Sequence, residues 1–415
     1  MPLTGTEARL KGVAMKMEAP LAGVTVLELG QWIAAPAAAY LLAEWGASVL
    51  KLEPPEGDPL RAVLTSTFPT GRGDRNPFFE QVNRGKRSLA LDLRRQGARR
   101  VLYELASKVD VVVTNLRPRA LRELGCTYQE LASRNRRLVY CQVSGYGHDH
   151  RESDRALVDV GVYARLGMAR LVSPPHDPDG EPPQEPNMLF DHATGLAAAG
   201  AICAALAQRE RTGQGMWVGV PLLRVGAFLL AWDLLRAARL GSTVRPVDRY
   251  HVRNPLINCY RAGDGRWLWL LCVQPDRHWA SLCRALGRED LVDDPRFSDI
   301  YARANNAPAL VAELDAAFAQ RPRHEWGSVL DRHGVWWAPV NTVNEAVQDP
   351  LVREAGVLLA ASDEGGEFIA GPADFPAMGA RSPAPELGQH TEEVLLELGY
   401  GWDDIVRLKD EGAIL

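Results

Sequence analysis

The amino-acid sequence predicts an α/β protein built on a mostly parallel β-sheet. Short apolar runs alternate with stretches of helical spacing through residues 23–147. The composition is that of an ordinary globular protein, with 46% hydrophobic and 24% charged residues. Because strands that alternate with helices form parallel sheets, we expect a sheet covered by helices on both faces. A chain of 415 residues is long enough for roughly two or three domains.

The first β-α-β unit is the clearest local pattern. The run "GVTVLELG", which ends at Gly30, is short and apolar, as expected for a buried parallel strand. The stretch "APAAAYLLAEWGA" then has helical spacing and stops at Gly46, and "SVLKLE" forms the second strand.

The same alternation continues along the chain. The predicted elements that follow are the strand "SLALDL", a helix over 97–108, the strand "VDVVVTN", the strand "LVYCQVSGYG", a helix starting near Asp191 and a long connecting helix over 220–241. A proline-rich loop precedes Asp191. Later, "NPLINCYRAGDGRWLWLLC" alternates apolar and polar residues around Gly263-Asp264-Gly265, which predicts a β-hairpin whose Trp267 and Trp269 face a core.

These patterns predict five segments. We expect an N-terminal extension at 1–19, the first part of a large domain at 20–220, a linker helix at 221–241, a small domain at 242–325 and a return to the large domain at 326–415.

Composition also narrows the class of protein. The 47 basic and 52 acidic residues are mixed along the chain, which predicts no nucleic-acid partner. No apolar run reaches the roughly 18 residues that span a bilayer, and the N-terminus carries no apolar signal segment. The six cysteines form no C-x-x-C pair, as expected for thiols in a reducing compartment. We therefore expect a cytoplasmic protein that does not bind membranes.

Parallel sheets bind ligands at the carboxyl ends of their strands. Polar clusters stand at three such ends: Gln31-Trp32, Asn115-Leu116-Arg117 and the segment 144–147. A dinucleotide dehydrogenase is disfavoured, although Glu53 falls about where a ribose-binding acid would stand, because the first turn lacks G-x-G-x-x-G. The segment "GHDH" does not predict a metal site, since consecutive loop side chains do not converge on one ion.

Asp191 lies in "FDHATG", directly before a run of small residues. An aspartate at this place is a favoured helix N-cap, so a structural role is one interpretation. A reactive carboxylate is the other. His192 is its neighbour and is expected to face solvent or neighbouring side chains, because adjacent residues on a helix point in different directions.

Several segments spread over the whole chain carry a family resemblance. They are "PLAGVTVLELGQWIAAPAAAYLLAEWGASVLKLEPPEGDPLR", "NRGKRSLALDL", "DVVVTNLRPRALRELG", "LVYCQVSGYG", "DHATGLAAAGAICAALAQRERTGQG", "YRAGDGRWLWL" and "ELGQHTEEVLLELGY". In this order they resemble the class III CoA transferases (CaiB/BaiF-like), a group with formyl-CoA and carnitine-CoA transferases and α-methylacyl-CoA racemases.

This resemblance implies a fold and an activity. It implies a large doubly wound, Rossmann-like domain built from both chain ends, a smaller inserted α+β domain, and a homodimer of interlocked subunits. It also implies an enzyme that moves coenzyme A from an acyl-CoA donor to a small carboxylic acid acceptor, with no metal. The nucleophile would be Asp191, which would form a mixed anhydride and then an aspartyl-CoA thioester, and a positive helix end would favour its ionised form.

The resemblance assigns the CoA site residue by residue. Gln31, Trp32, Ile33 and Ala34 match the turn beside the pantetheine and thioester, with Ile33 where formyl-CoA enzymes carry a glutamine. Arg94, Asn115 and Leu116 match residues that line the nucleotide. Glu123 stands where an arginine is expected, and the candidates to replace that phosphate contact are Arg119 and Arg122.

Two alternatives remain at this point: an α-methylacyl-CoA racemase, or a CoA-binding protein without catalysis. Racemases of the family resemble one another in a Gly-His-Asp segment upstream of the catalytic aspartate. Here "LVDVGVYARLG" places Val158 at the histidine position and keeps Asp159. Because valine cannot move a proton, racemisation is disfavoured, while Asp159 is either a second carboxylate of the acyl site or a structural aspartate at a helix start.

Overall fold

The computed structural model describes residues 17–62, 76–184, 188–360, 366–379 and 382–415. Most of the predicted N-terminal extension therefore lies outside the described residues. The chain divides into two compact units. The first unit comprises the described residues in three parts of the chain: those up to Leu166, those within Glu185–Leu234 and those within Leu359–Leu415. The second unit comprises Gly167–Gln184 and Leu235–Leu358.

The strands and helices are numbered in chain order. The strands are β1 (Thr25–Leu29), β2 (Ser48–Glu53), β3 (Lys86–Ala90), β4 (Val111–Thr114), β5 (Val139–Ser144), β6 (Trp217–Pro221), β7 (Cys259–Arg261), β8 (Trp267–Leu270), β9 (Trp337–Pro339), β10 (Leu358–Ala360) and β11 (Glu367–Ile369). The α-helices are α1 (Ala34–Glu44), α2 (Pro77–Asn83), α3 (Gln96–Lys108), α4 (Pro118–Leu124), α5 (Tyr128–Ala132), α6 (Asp159–Arg165), α7 (Met168–Leu171), α8 (Leu189–Thr212), α9 (Leu222–Leu229), α10 (Ala231–Leu240), α11 (Pro275–Leu286), α12 (Ile300–Asn305), α13 (Ala307–Phe318), α14 (Arg323–Arg332), α15 (Val343–Ala346), α16 (Pro350–Glu354), α17 (Thr391–Leu398) and α18 (Trp402–Asp410).

The first unit contains a six-stranded sheet in the order β3-β2-β1-β4-β5-β6, and all neighbouring strands are parallel. The predicted α/β class with a parallel sheet is confirmed. Strand β6 was not predicted, because its short run "WVGVP" directly precedes the helix-like segment that follows. That segment is also not one helix, since it divides into α9 and α10 around Leu230.

Both parts of the chain that flank the second unit contribute to this sheet's core. The backbone N–H of His390 donates to the carbonyl of Ser88 (2.9 Å), and Leu91 forms an antiparallel bridge with Ile414. Apolar residues of α17 and α18, among them Leu395 and Leu408, pack with the buried residues of β1, β3 and α3.

Helices α1 and α8 pack against each other through small residues. A Cβ atom placed on Gly195 would lie 2.7 Å from the Cβ of Ala37 and 3.1 Å from the carbonyl oxygen of Ala34. Glycine is therefore required for this approach. By length and composition, α8 is the one described helix that could cross a membrane, but its Phe190 and Ile202 are buried among the protein's own elements.

The second unit has a three-stranded antiparallel sheet in the order β7-β8-β9 and its own core. The predicted hairpin is β7 and β8. Because β9 pairs with β8, residues beyond 325 belong to this unit, and the boundary of the predicted small domain moves to about Leu358. Trp267 and Trp269 are 37% and 43% exposed, and the intervening Leu268 and Leu270 fill the core, so the predicted face was wrong.

Candidate active site

The turn after β1 and the loop after β4 are joined at the centre of the large sheet. The backbone N–H of Gln31 donates to Oδ1 of Asn115 (3.0 Å), and Nδ2 of Asn115 donates to the carbonyl of Gln31 (2.7 Å). The Thr114 hydroxyl donates to the carbonyl of Leu29 (2.8 Å). In a sheet of this order, connections leave β1 and β4 in opposite directions, and the crevice between them is the usual ligand site.

A cleft of about 240 Å³ lies beside this point, at the ends of β1, β2, β3 and β4. Its walls are mostly apolar and include Leu29, Leu91 and Leu116, with Gln31 and Arg94 among the polar residues. Three of the residues predicted from the resemblance, Gln31, Arg94 and Leu116, thus line one cleft, and Asn115 is bonded to its edge.

Of the three predicted arginines, Arg94 lines this cleft. Its guanidinium contacts Asp92 (2.7 Å) and Glu56 (3.3 Å), and the hydrogen bond that it donates to Asp92 raises the pKa of Arg94.

The other two arginines lie elsewhere in the first unit. Arg119 donates to Glu123 (2.7 Å), the residue that stands where an arginine was expected. Arg122 contacts Asp154 (3.5 Å). Together with Gln142 it lines a second cleft, and neither residue lines the cleft beside β1.

The turn that leads into α1 has an unusual backbone. Trp32 has a φ of 65°, and among the described residues it is the one non-glycine residue in the left-handed region. Its indole is half-exposed, and its backbone N–H donates to Oδ1 of Asp58 (3.1 Å). Ile33 is the N-cap of α1 and supplies no side-chain hydrogen bond, so the first N–H groups of α1 have no side-chain cap.

Four buried charged residues lie beneath this turn, and we call them the buried charge network: Glu28, Lys51, Asp58 and Lys86. Lys51 Nζ donates to Glu28 (2.7 Å), Asp58 (2.9 Å) and the carbonyl of Gly30 (3.0 Å). Lys86 Nζ donates to Glu28 (2.6 Å) and to the carbonyl of Pro36 (2.9 Å). Two cations and two carboxylates balance in charge.

This network was not predicted from the sequence. A signal was available, because Glu28 and Lys51 are charged residues inside apolar strands. Burial alone would lower the pKa of Lys51, but the carboxylates of Glu28 and Asp58 outweigh it and raise that pKa. For Lys86, burial prevails over Glu28 and lowers the pKa to about 8.

Asp191 lies in the first turn of α8 but does not cap it. The helix begins at Leu189, its N-cap is Met188, and the N-cap makes no side-chain hydrogen bond. The interpretation of Asp191 as the N-cap is therefore wrong. Within the described part of the chain, we find no hydrogen bond to its carboxylate. Gly195, one turn later, contacts Ala34 of α1, which ends the segment from Gly30 to Ala34 that we call the Trp32 turn.

A second carboxylate adjoins Asp191. Asp159 is the first residue of α6 and is 2% exposed. Its Oδ2 accepts the backbone N–H of Asp191 (2.7 Å), and its Oδ1 is buried without a partner among the described residues. Burial, and then the charge of Asp159, raise the pKa of Asp191 to about 7. The expectation that a positive helix end favours the ionised carboxylate is therefore not met, because burial and the charge of Asp159 favour the protonated form.

The neighbouring polar residues form no additional cluster. His192 is exposed, and its Nδ1 lies 2.8 Å from the carbonyl oxygen of Met188. Val158, at the histidine position of the racemases, is 61% exposed. His150 stacks on Tyr146, and no group of three metal-ligating side chains occurs among the residues described by the structure.

Comparison with known proteins identifies the family. The model of CoA-transferase family III matches residues 21–391. The chain belongs to this family.

Named relatives and solved structures agree with that assignment. The (R)-2-hydroxy-4-methylpentanoate CoA-transferase of Clostridioides difficile is 30% identical over 95% of this chain and 99% of its own. The probable fatty acyl-CoA transferase Rv3272 of Mycobacterium tuberculosis is 33% identical over 89% of this chain and 96% of its own. A crystal structure of a CAIB/BAIF family protein from Brucella suis matches with a TM-score of 0.80 at 29% identity, covering 92% of this chain and all of the other.

Proposed function

We propose that this enzyme transfers CoA from an acyl-CoA thioester to a carboxylic acid, with Asp191 as the nucleophile. The observation that carries the proposal is the Asp191 carboxylate, which has no hydrogen-bond partner among the described residues and lies on the helix that packs beside the Trp32 turn. A purely structural aspartate in a helix start would instead bond a backbone N–H.

In the first half of the reaction, a carboxylate oxygen of Asp191 attacks the carbonyl carbon of the donor thioester. The C–S bond breaks, CoA leaves as a thiolate, and a mixed anhydride remains on Asp191. The thiolate then attacks the Asp191 carbonyl carbon of the anhydride and releases the donor acid as a carboxylate. Asp191 now holds CoA as a thioester.

The second half reverses these steps with the acceptor. The acceptor carboxylate attacks the aspartyl thioester carbon and expels the CoA thiolate, which gives a second mixed anhydride. The thiolate attacks the acceptor's carbonyl carbon, forms the new acyl-CoA and regenerates the Asp191 carboxylate. No proton is consumed overall. Because the attacking group is the carboxylate, Asp191 must be ionised when the cycle begins.

Oxyanions develop on the attacked carbonyls, and N–H donors stabilise them. The first turn of α1 supplies such groups, because Ala34 and Ala35 have no side-chain cap above them. We place the pantetheine along Gln31, Trp32, Ile33 and Ala34, where Ile33 contributes only apolar contact. The nucleotide then occupies the cleft with Asn115 and Leu116 at its wall, and Arg94 faces its phosphates.

Asp159 has two roles in this proposal. Its Oδ2 orients the backbone of Asp191, and its charge keeps the nucleophile basic enough to attack near neutral pH. We place Arg119 and Arg122 outside the CoA site, since neither lines the cleft beside β1 that Arg94 lines, and Arg122 lines a separate cleft.

We also propose a homodimer of interlocked subunits. Helix α10 has no buried residue, although it carries Trp232 (84% exposed) and Leu240 (72% exposed). Phe228 of α9 is 80% exposed. Apolar side chains exposed along two successive helices fit burial by a second subunit. The six free cysteines fit a reducing, cytoplasmic setting.

The proposal is tested by incubating the protein with a panel of acyl-CoA donors and carboxylic acids and separating the products by chromatography. Asp191→Asn should abolish transfer, because an amide cannot form the anhydride, while the folded dimer persists. Mass spectrometry of wild-type protein mixed with a donor should show an adduct of CoA mass, absent from Asp191→Asn. Transfer by Asp191→Asn above a few per cent of wild type, with deamidation excluded, would reject Asp191 as nucleophile.

A further inference from the structure

We propose that Asp58 is a positioning residue for CoA transfer: it holds Trp32 in its left-handed conformation and so fixes the turn from Gly30 to Ala34 beside α8. This inference rests on the proposed function. It concerns a residue that does not line the cleft beside β1 and that would not touch the reacting atoms.

The first step is the backbone of Trp32. A left-handed conformation is unfavourable for any residue with a Cβ atom, and such conformations persist where the surroundings impose them. Here the imposing contact is the hydrogen bond from the Trp32 N–H to Oδ1 of Asp58. The same oxygen accepts the N–H of Leu60 (3.0 Å), which fixes the Asp58 side chain against its own segment.

The second step is how Asp58 itself is held. Its Oδ2 accepts Lys51 Nζ (2.9 Å), and its backbone N–H donates to Oε2 of Glu53 (3.1 Å). Glu53 in turn accepts two hydrogen bonds from Arg61 (2.8 and 2.7 Å). Asp58 is 2% exposed, so water does not compete for these contacts.

The third step is that the buried charge network forms hydrogen bonds to the backbone at three points in and beside the turn. Lys51 binds the carbonyl of Gly30, Asp58 binds the N–H of Trp32, and Lys86 binds the carbonyl of Pro36. Gly30 begins the turn, Trp32 lies within it, and Pro36 follows it in the first part of α1. Replacing buried ion pairs by apolar side chains often leaves stability unchanged or higher, so a network of this kind points to fixed geometry at the turn rather than to stability.

The consequence for the reaction is geometric. Asp191 lies one turn before Gly195, and Gly195 contacts Ala34, at the end of the turn that Asp58 fixes. A displacement of about 1 Å in positioned groups can lower a rate by about 10²-fold. We therefore expect Asp58→Ala to lower kcat by about 10²-fold and to change KM for acyl-CoA by a smaller factor, because Arg94, Leu91 and Leu116 of the cleft lie outside the turn.

The matched control is Asp110→Asn. Asp110 also accepts a backbone N–H, that of Thr25 (2.8 Å), and pairs with Arg209 (2.9 Å), but at the amino end of β1. This variant should lose stability and keep kcat. Asp58→Asn keeps an oxygen for the Trp32 N–H and should lose less kcat than Asp58→Ala.

Glycine at residue 32 tests the link to the left-handed backbone. Glycine adopts a positive φ without the cost that alanine has. We expect Asp58→Ala to lower kcat about 5- to 30-fold less in a Trp32→Gly background than in a Trp32→Ala background. Equal losses in both backgrounds would overturn the proposal, as would an Asp58→Ala variant whose kcat loss only matches that of Asp110→Asn. Absence of transfer by wild-type protein would instead reject the proposed function, and this inference with it.

Discussion

Replacing Asp191 by asparagine should make the protein more stable at alkaline pH while abolishing its activity. The pKa of Asp191 rises from 3.8 to about 7 on folding, because the group is buried and faces Asp159. The folded state therefore binds this proton more tightly than the unfolded state, and stability from this group falls as pH rises from about 4 to 7. With about 1.4 kcal/mol per pKa unit, this group destabilises the folded state by about 4 kcal/mol at pH 8 and by about 2 kcal/mol at pH 5.

The stability gain of Asp191→Asn over wild type should thus be about 2–3 kcal/mol larger at pH 8 than at pH 5. Urea unfolding followed by tryptophan fluorescence, at one protein concentration, measures this difference. Asp110→Asn is the control: Arg209 and Thr25 outweigh the effect of burial and lower the pKa of Asp110, so its stabilising effect is lost only below about pH 4. The free energy of unfolding of Asp110→Asn should therefore be lower than that of wild type by the same amount from pH 5 to 8. A gain for Asp191→Asn that stays constant or shrinks with rising pH would refute the reasoning.

Three further predictions concern packing, assembly and the alternative reaction. Gly195→Ala should cost about 1–3 kcal/mol and lower kcat because the new methyl meets α1, whereas Gly200→Ala on the same helix, with no atom within 4 Å, should be neutral or stabilising in thermal unfolding. If the subunits are interlocked, dissociation should coincide with unfolding, and a folded monomer seen by sedimentation on dilution would contradict this. A 2-methylacyl-CoA incubated in deuterated water without acceptor should gain no enzyme-dependent deuterium at its α-carbon, since Val158 replaces the racemase histidine; rapid labelling that Asp191→Asn abolishes would favour the racemase.

Prediction from the sequence succeeded best for elements whose burial produces a recognisable local pattern of apolar residues. Strands β1, β2, β4 and β5 are apolar runs because parallel strands are buried on both faces, so the runs alone located them. Strand β6 was missed, since a five-residue run joined directly to a helix gives no separate signal. In β8, alternation was recognised but its buried face was assigned to the larger tryptophans rather than to the leucines.

The candidate site divides in the same way. Gln31, Asn115 and Arg94 follow strand ends, and because strand-end loops of a parallel sheet meet at one edge, these residues lie at or beside the cleft next to β1. Asp191 was found by resemblance, but its position inside the helix rather than at the cap was not. Arg119 and Arg122 were proposed from the resemblance, as replacements for the arginine expected at Glu123, and only the tertiary structure showed that they contact Glu123 and Asp154.

The sequence by itself determined the α/β class, the parallel sheet and the identity of the residues at its strand ends, because these depend on patterns within a few neighbouring residues. Tertiary structure decided what depends on residues far apart in the chain. Asp159 and Asp191 are 32 residues apart, yet their contact, together with burial, sets the pKa of Asp191. Likewise Glu28, Lys51 and Lys86 converge because β1, β2 and β3 pair, and Asp58 joins them from the loop after β2. Charge interactions act through distance in space rather than along the sequence.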